Sequence, residues 1–315
     1  MNSQENQNVS VSYREILNKI GQQLSLRKND IFKRIVLISW PFVILAGVLY
    51  QIKNSNSLHQ LIEADPQSFY ITMAIVIAIL IPYYYLISFL VSIEKHLWID
   101  SAFDNRAMDS KMSWHIAWKL IFPVIGLSFQ VIVRYYLPAI AVVIIGFLGL
   151  AYTSSKVDLV NFFGNVMWIP LICILLLIVV AVYFYLLRTR LRFIFFLFID
   201  RYNKGDFSYS SLFQEMKKLN EISKTDGFKK ALVINFGSDV FYNVSLYVLG
   251  VIKSGLDSIG GISGLFGAIA KPFAEESARQ IASFARLTAI YLLYSQARFM
   301  LYNKPQEENK YIYSL

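Results

Sequence analysis

The segment Asn165–Asp200 constrains the fold of this chain more than any other. Residues 171–180 are ten consecutive apolar residues, so a helix formed by them is apolar on every face. A surface helix of a soluble protein keeps one polar face, whereas this composition fits the hydrocarbon of a bilayer. The segment then passes three arginines and continues as an aromatic helix that ends at Ile199-Asp200. We therefore predict an integral membrane protein.

The overall composition supports the same prediction. Hydrophobic residues make up 56% of the chain and charged residues 16%, whereas soluble domains carry roughly 25% charged residues. The net charge of +9 does not indicate nucleic acid, because the basic residues lie mainly at the ends of apolar segments. The single cysteine, Cys173, excludes an intramolecular disulfide, and three scattered histidines form no recognisable metal or hydrolytic motif. We expect no cofactor, no metal and no nucleic-acid partner.

Apolar segments recur along the chain and predict about six transmembrane helices in one membrane domain, residues 35–302. A polar N-terminus with an amphipathic helix (1–34) precedes this domain, and a polar tail (303–315) follows it. Pro41 in the first span is tolerated where neighbouring helices satisfy the freed carbonyl. The predicted spans are Ile35–Ile52, Phe69–Asp100, Val131–Tyr152, Asn165–Asp200, Ala231–Ile252 and Gln280–Tyr302.

The order of these segments repeats three times. Each unit consists of an amphipathic segment, a span, a connection and a second, longer span, over residues of about 13–100, 110–200 and 208–302. Tyr83–Asp100 aligns with Tyr183–Asp200, including the shared Ile-Asp end. We therefore predict an all-α fold of three helical hairpins, each preceded by a cytoplasmic amphipathic helix. The first of these helices, Tyr13–Leu26, is expected to lie against the membrane surface.

The distribution of Lys and Arg predicts the orientation in the membrane. Of the 30 basic residues, 23 lie in residues 1–34, 93–130, 188–230 and 298–315, which are the N-terminus, the two long connections with the adjoining ends of spans, and the tail. Cytoplasmic segments carry such an excess in membrane proteins. We predict a multi-pass protein of the cytoplasmic (inner) membrane with both termini in the cytoplasm.

The fifth span carries polar residues at spacings of three and four, which place them on one helical face. Polar and charged residues within a span usually face a bundle interior or a wet cavity. One interpretation is that Asp239 lines a polar path, where it binds a cation or carries a proton. The alternative, favoured because this acid has no second ligand here, is a structural partner for an arginine in another span. The candidate cluster comprises Asn235, Ser238, Asp239, Asn243, Arg134 and Arg286.

Two further features have alternative interpretations. Arg188, Arg190 and Arg192 are candidate contacts for anionic lipid headgroups, although such clusters more often extend to the interface without a specific lipid. The glycine-rich segment Gly255–Pro272 is predicted as a loop, either a re-entrant pore element or an interfacial amphipathic helix. The interfacial helix is favoured, because the segment contains no polar run typical of a selectivity filter.

The junctions between long spans and amphipathic helices resemble those of a known family. The residues that carry the likeness are Ile99-Asp100, Ser113-Trp114, Trp118, Ile199-Asp200 and Ser210-Ser211-Leu212. On these residues the chain resembles a loose bacterial family of multi-pass membrane domains related to the one attached to glycerophosphodiester phosphodiesterases. The resemblance implies a membrane domain over most of the chain. It implies no enzyme activity, because the soluble barrel with its metal-binding carboxylates is missing.

These features favour a non-catalytic membrane protein with a transport, channel-like or membrane-assembly role. One alternative is an intramembrane enzyme that acts on lipid or peptide around Asp239. Another is a membrane scaffold that binds a cytoplasmic protein partner through residues 201–230, the most polar interior segment. The lipid bilayer, including anionic lipids, is the expected partner in every case.

Overall fold

The computed structural model describes residues 11–55, 60, 62–103, 108–141, 143–144, 168–203, 205, 207–223 and 226–303. Within these ranges all regular secondary structure is helical. The helices are α1 (Tyr13–Asn54), α2 (Pro66–Phe103), α3 (Ser110–Val131), α4 (Trp168–Arg190), α5 (Ile194–Asn203), α6 (Tyr209–Ile222), α7 (Asp226–Ile259) and α8 (Gly261–Asn303). Helix α3 continues through a π-helical stretch, Ile132–Tyr136, and then as α-helix to Ala141.

Four helices of the described chain are long and apolar enough to cross a membrane: α1, α2, α3 with its continuation, and α7. In each of these helices less than a third of the apolar stretch is buried, and in α7 only 6% of it is buried. Apolar surface on this scale needs an apolar surrounding. The helices therefore fit the predicted all-α membrane protein. The predicted turn at residues 153–163 lies outside the described residues.

Helix α1 differs from its prediction. The sequence suggests a surface helix over Tyr13–Leu26 and a separate span over Ile35–Ile52, whereas both belong to one helix of 42 residues. Ser12 caps its start by accepting a hydrogen bond from the Glu15 amide at 3.2 Å. A helix of this length spans about 63 Å, twice the roughly 30 Å of hydrocarbon. Because the helix is continuous, its first half cannot lie flat on the membrane while its second half crosses it.

The described residues fall into two compact units. The first contains residues of 1–119 and 233–315, and the second contains residues of 120–232. In the first unit α1, α2 and α8 pack around a core that includes Trp98, Phe284 and Tyr294, each at most 1% exposed. The stretch of α2 from Ile87 to Ser101 is mostly buried in this core.

The segment between α7 and α8 is also different from its prediction. The expected loop over Gly255–Pro272 is wrong, because α7 continues to Ile259 and α8 begins at Gly261. The helical backbone from Gly261 to Pro272 agrees with the favoured interpretation of a helix, whose interfacial position stays a prediction. The chain reverses at Gly260 and Gly261 alone, whose positive φ angles of 71° and 53° suit glycine.

Because the chain reverses at these two glycines, the part of α8 that packs beside the fifth span differs from the predicted sixth span. Ser238 of α7 donates a hydrogen bond to the Ala282 carbonyl at 3.2 Å, and the Arg279 guanidinium donates one to the Tyr242 hydroxyl at 3.1 Å. Residues near 282 and earlier in α8 therefore lie beside the fifth span. The predicted bounds Gln280–Tyr302 extend instead into the buried core of the first unit, where Ala289 packs.

The second unit corrects the prediction of an unbroken helix through the three arginines. Helix α4 ends at Arg190, and a turn over residues 191–193 precedes α5. The amide of Ile194 donates to the Leu191 carbonyl at 3.1 Å, a tighter closure than an α-helix makes. The turn separates the lipid-like apolar run of α4 from the aromatic helix α5.

Candidate functional site

The polar residues predicted on the fifth span lie together on α7 but have different surroundings. Asn235 is buried, Ser238 and Asp239 are half-buried, and Asn243 is exposed. Ser238 donates to a carbonyl of α8, and the Asn243 side-chain amide donates to the Asp239 carbonyl at 2.8 Å. Hydroxyl and amide donors that bind backbone carbonyls satisfy helices within an apolar surrounding. For Ser238 and Asn243, this favours the structural interpretation.

The two arginines predicted as partners of Asp239 have the following positions. The guanidinium of Arg134, in the π-helical stretch of the second unit, lies 4.5 Å from the centre of the Phe213 ring. This geometry is a cation–π contact. Arg286 is half-buried on α8 of the first unit.

A buried ion pair that the sequence analysis missed lies in the first unit. The Arg34 guanidinium of α1 donates two hydrogen bonds to the Glu94 carboxylate of α2, at 2.7 and 2.9 Å. Glu94 is completely buried, and Ser113 donates a further hydrogen bond to it at 2.8 Å. The same guanidinium lies 4.2 Å from the centre of the Trp114 ring. Two-pronged pairs of this kind fix both distance and angle between helices.

A second polar network begins at the next residue of α2. The Lys95 ammonium, 4% exposed, donates to the Gln280 side-chain carbonyl and to the Ser283 hydroxyl, each at 2.8 Å. Gln280 in turn donates to the buried Glu276 carboxylate one helical turn earlier. Lysine burial of this degree requires such partners.

The network continues toward the apolar part of the first unit. Arg279 lies 3.3 Å from the Glu276 carboxylate and donates to the Tyr242 hydroxyl. Its guanidinium is also 5.6 Å from the centre of the Tyr84 ring. A connected chain of side chains thus links α2, α8 and α7.

The sequence did contain a signal for these two networks. Glu94, Lys95 and His96 form a polar triplet, two of whose members are charged, inside an otherwise apolar helical stretch. Such residues are retained in a helix core only with partners. His96 is also buried, with its Nδ1 atom 2.7 Å from the Ser92 carbonyl oxygen. The partners of the triplet could not be named from sequence, because Arg34 and Gln280 lie 60 and 185 residues away in the chain.

The predicted lipid-binding arginines have three different positions. Arg190 is exposed and Arg188 half-buried, whereas Arg192 is only 7% exposed. The Arg192 guanidinium donates to the Thr189 carbonyl at 3.0 Å and to the Ser223 hydroxyl at 2.7 Å. Arg192 therefore faces the protein of the second unit and is not placed to hold a lipid headgroup.

These polar groups form closed networks, in which the charged groups bond to other groups of the protein. Such networks hold helices in place. Within the described ranges, no group of three or more His, Cys, Asp or Glu side chains is placed to hold a metal ion. The charged groups of the two networks of the first unit contact one another, neutral amides or hydroxyls. Buried groups paired in this way hold helices in one register.

Comparisons with protein-family models, with curated proteins and with solved structures find no match to this chain. The function has to be inferred from the geometry alone.

Proposed function

We propose that this chain is a non-catalytic membrane-assembly protein that holds a rigid, water-exposed helical bundle at a cell membrane. The observation that carries the proposal is a change of surface along single helices. Residues 36–52 of α1 and 70–86 of α2 contain no charged residue, and we call them the apolar segments. Residues 13–35 of α1 and 87–103 of α2 carry all the charges of both helices except Lys53, and we call them the charged segments.

The two kinds of segment differ in what they bury. In the apolar segments large side chains face outward, with Ile44 56% exposed and Ile79 65% exposed. In the charged segments Glu94 and Lys95 are buried, together with Ile31 and Trp98. A helix with this surface fits two solvents, hydrocarbon around one half and water around the other.

Catalysis around Asp239 has less support. An intramembrane active site needs polar groups that converge on an open cavity. The described hydrogen bonds of Ser238 and Asn243 run to helix carbonyls instead. Closed networks favour an assembly role over a transport path or a reaction centre.

A surface for a partner is available on α6, within the predicted partner-binding segment 201–230. One face of this helix is buried through Leu212, Met216 and Leu219. The opposite face exposes Lys217 and Lys218. Because the buried face fixes the helix, the basic face presents a stable, charged surface that suits an acidic protein partner.

Equivalent contacts support the proposed hairpins and their repetition. In the first unit the Tyr83 hydroxyl donates to the Leu37 carbonyl at 2.6 Å, and in the second unit the Tyr183 hydroxyl donates to the Tyr135 carbonyl at 3.4 Å. The two tyrosines are the aligned residues of the predicted repeat. Each ties a long second span to the span before it.

A second pair of contacts has the same relation. Arg34 lies over Trp114, and Arg134 lies over Phe213 at a similar distance. In both cases an arginine near the start of a predicted span contacts an aromatic ring of the next amphipathic helix. We propose six spans in three hairpins, with the sixth moved to the first half of α8.

The proposed location is the inner membrane, with both termini in the cytoplasm. The support is the excess of Lys and Arg on the side of the charged segments. The resemblance to membrane domains related to those of glycerophosphodiester phosphodiesterases is a proposal too, as the location is. It predicts the architecture and assigns no reaction.

Topology is tested by labelling single cysteines in a Cys173→Ser background with a membrane-impermeant reagent. Ser25→Cys and Lys217→Cys are expected to react only from the cytoplasmic side, and Asn54→Cys and Ser258→Cys only from the opposite side. All four positions are exposed in the structure. Labelling of all four from the same side would contradict the proposed spans.

The assembly role is tested by purifying the full chain from membranes with the proteins bound to it. Reversing two charges, Lys217→Glu with Lys218→Glu, is expected to remove cytoplasmic partners while the amount of chain in the membrane stays the same. The matched control reverses two exposed lysines of α1, Lys28 and Lys33. An identical set of partners for both variants argues against the scaffold.

A further inference from the structure

A cavity of about 450 Å³ lies in the first unit, where the last turns of α1 meet the turn between α7 and α8. We propose that this cavity binds a phosphate group, carried by the headgroup of a membrane phospholipid. The inference rests on α1 and α7 lying in the membrane and does not depend on the assembly role. The charged side chains of the cavity are Lys53, Lys253, Lys271, Asp257 and Glu275, and its other polar side chains are Tyr50 and Asn54.

The local fold holds the walls of the cavity in place. The sharp reversal at Gly260 and Gly261 brings the end of α7 next to the start of α8. The Tyr50 hydroxyl of α1 donates to the Gly261 carbonyl at 2.9 Å. A Cβ atom at Gly264 would overlap that hydroxyl, so α1 approaches α8 closely here. The cavity is therefore formed before a ligand arrives, which lowers the cost of binding.

The charges in the cavity favour an anion. Lys253 forms an ion pair with Asp257 at 2.6 Å, and Lys271 forms one with Glu275 at 3.5 Å. Lys53, the third lysine, has no acidic partner among the residues that the structure describes. One positive charge is thus left for the ligand. A lysine ammonium binds phosphate as a point charge.

The position of the lysines along their helices indicates the source of the phosphate. The uncharged stretch of α1 ends at Ile52, directly before Lys53, and the uncharged stretch of α7 that follows Asp239 ends at Ile252, directly before Lys253. Basic residues at the ends of spans lie at the level of the lipid headgroups. The remaining wall includes Leu49 and other apolar residues, which suit the glycerol and acyl part of a lipid.

The test measures binding of phosphatidylglycerol to the full chain in detergent by native mass spectrometry. Lys53→Gln is expected to weaken retention of the lipid about fivefold, the effect of one basic residue near a membrane surface. Lys28→Gln removes the same charge from an exposed site on the other half of α1 and serves as the control. Its binding is expected to match that of the unchanged chain.

A second variant tests the cavity without changing its charge. Ala268 lines the cavity, and Ala268→Phe fills part of it while every lysine remains. The variant is expected to lose retention of the lipid at least as strongly as Lys53→Gln. Thermal unfolding of both variants establishes that they are folded, and Lys53 is exposed, so Lys53→Gln keeps the site testable even if the larger side chain disturbs packing.

Competition with inorganic phosphate distinguishes the two sources of the group. No displacement of the lipid, together with weaker binding by Lys53→Gln, supports the headgroup site. Displacement by inorganic phosphate that depends on Lys53 supports the phosphate site but assigns it to a soluble ligand. Binding by Lys53→Gln and Ala268→Phe that equals the control overturns the proposal.

Discussion

The two halves of α2 provide the clearest contrast in this molecule. In the apolar segment, 70–86, large hydrophobic side chains such as Ile79 and Tyr85 are exposed, each by more than half. In the charged segment, 87–103, Glu94 and Lys95 are buried with their partners. Helix α1 repeats the contrast in its charges but not in its apolar side chains, because Leu17 of its charged segment is 67% exposed and Ile38 of its apolar segment only 1%.

The contrast shows that the two halves of α2 bury different kinds of side chain. In hydrocarbon there is little to gain from burying leucine or isoleucine, so apolar side chains can remain on the surface. In water the apolar side chains enter a core, and charged groups enter it only with partners. The following substitutions test the contrast, beginning with the largest expected effect.

Removing the buried carboxylate tests the charged segments most severely. Glu94→Ala leaves the Arg34 guanidinium, whose side chain is only 15% exposed, without its counter-charge and removes one of the two acceptors of the Ser113 hydroxyl. We expect the free energy of unfolding to fall by about 3–5 kcal/mol, the usual cost of breaking a buried ion pair. Unfolding of the purified chain by SDS titration measures it.

The control for this substitution is a solvent-accessible ion pair. Asp257 pairs with Lys253 at 2.6 Å, and the two side chains are 40% and 33% exposed. Asp257→Ala is expected to cost at most about 1 kcal/mol. Equal costs for the two substitutions would contradict the different roles of charge that we assign.

A charge placed on each half of the molecule tests the surrounding solvent. Ile79→Arg introduces the charge on an exposed face of the apolar segment, where we expect a cost of about 2.5–3.5 kcal/mol in membrane insertion. Leu17, in the charged segment of α1, is similarly exposed at 67%. Leu17→Arg should change stability by no more than about 0.5 kcal/mol, as on a water-exposed surface. Protease protection of membrane-inserted chain compares the two, and similar insertion of both variants would break the contrast.

The buried lysine gives a smaller effect than the ion pair. Lys95→Met leaves the acceptors on Gln280 and Ser283 without a donor, so we expect a loss of about 1–3 kcal/mol in the free energy of unfolding. A double mutant with Ser283→Ala should show a coupling energy above about 0.5 kcal/mol. Additive effects of the two substitutions in SDS titration would contradict the hydrogen bond between Lys95 and Ser283.

Two glycine substitutions test how closely α1 approaches α8 at the apolar end of the first unit. Gly264→Ala brings a Cβ atom against the Tyr50 hydroxyl, and we expect a loss of about 1 kcal/mol, the lower end for overpacking, because the phenol ring can shift. Gly250→Ala meets no atom within 4 Å. It should be neutral or stabilise its helix by up to about 1 kcal/mol. Thermal unfolding in detergent compares the two variants, and a stable Gly264→Ala variant would argue against the close contact.

Apolar runs were enough to predict where the long helices lie, but not where they begin and end. Hydrocarbon composition alone identifies the spans within α1, α2 and α7. Pro41 leaves the Leu37 carbonyl without a helical donor, and the Tyr83 hydroxyl of α2 donates to that carbonyl at 2.6 Å, as the sequence analysis expected for a tolerated proline. The glycines before Pro272 suggested a loop, whereas only Gly260 and Gly261 adopt the backbone of a turn.

The candidate site was predictable only in part, for a physical reason. Spacing along one helix places Asn235 and Asp239 on α7, because helical periodicity is local. The Arg34–Glu94 pair and the bond from Lys95 to Gln280 join residues far apart in the chain. Such contacts depend on the packing of helices, which one sequence does not reveal. The fold also turned Arg192 inward at a break that hydropathy did not indicate.

Collision accessibility of spin labels tests the central contrast most directly. Single labels at Ile79→Cys on α2 and at Gln22→Cys, an exposed position in the charged segment of α1, are introduced in a Cys173→Ser background and studied in lipid vesicles. The account predicts that the label at 79 is relaxed by oxygen, which concentrates in hydrocarbon, and the label at 22 by a water-soluble nickel chelate. Relaxation of both labels by the same reagent would contradict it.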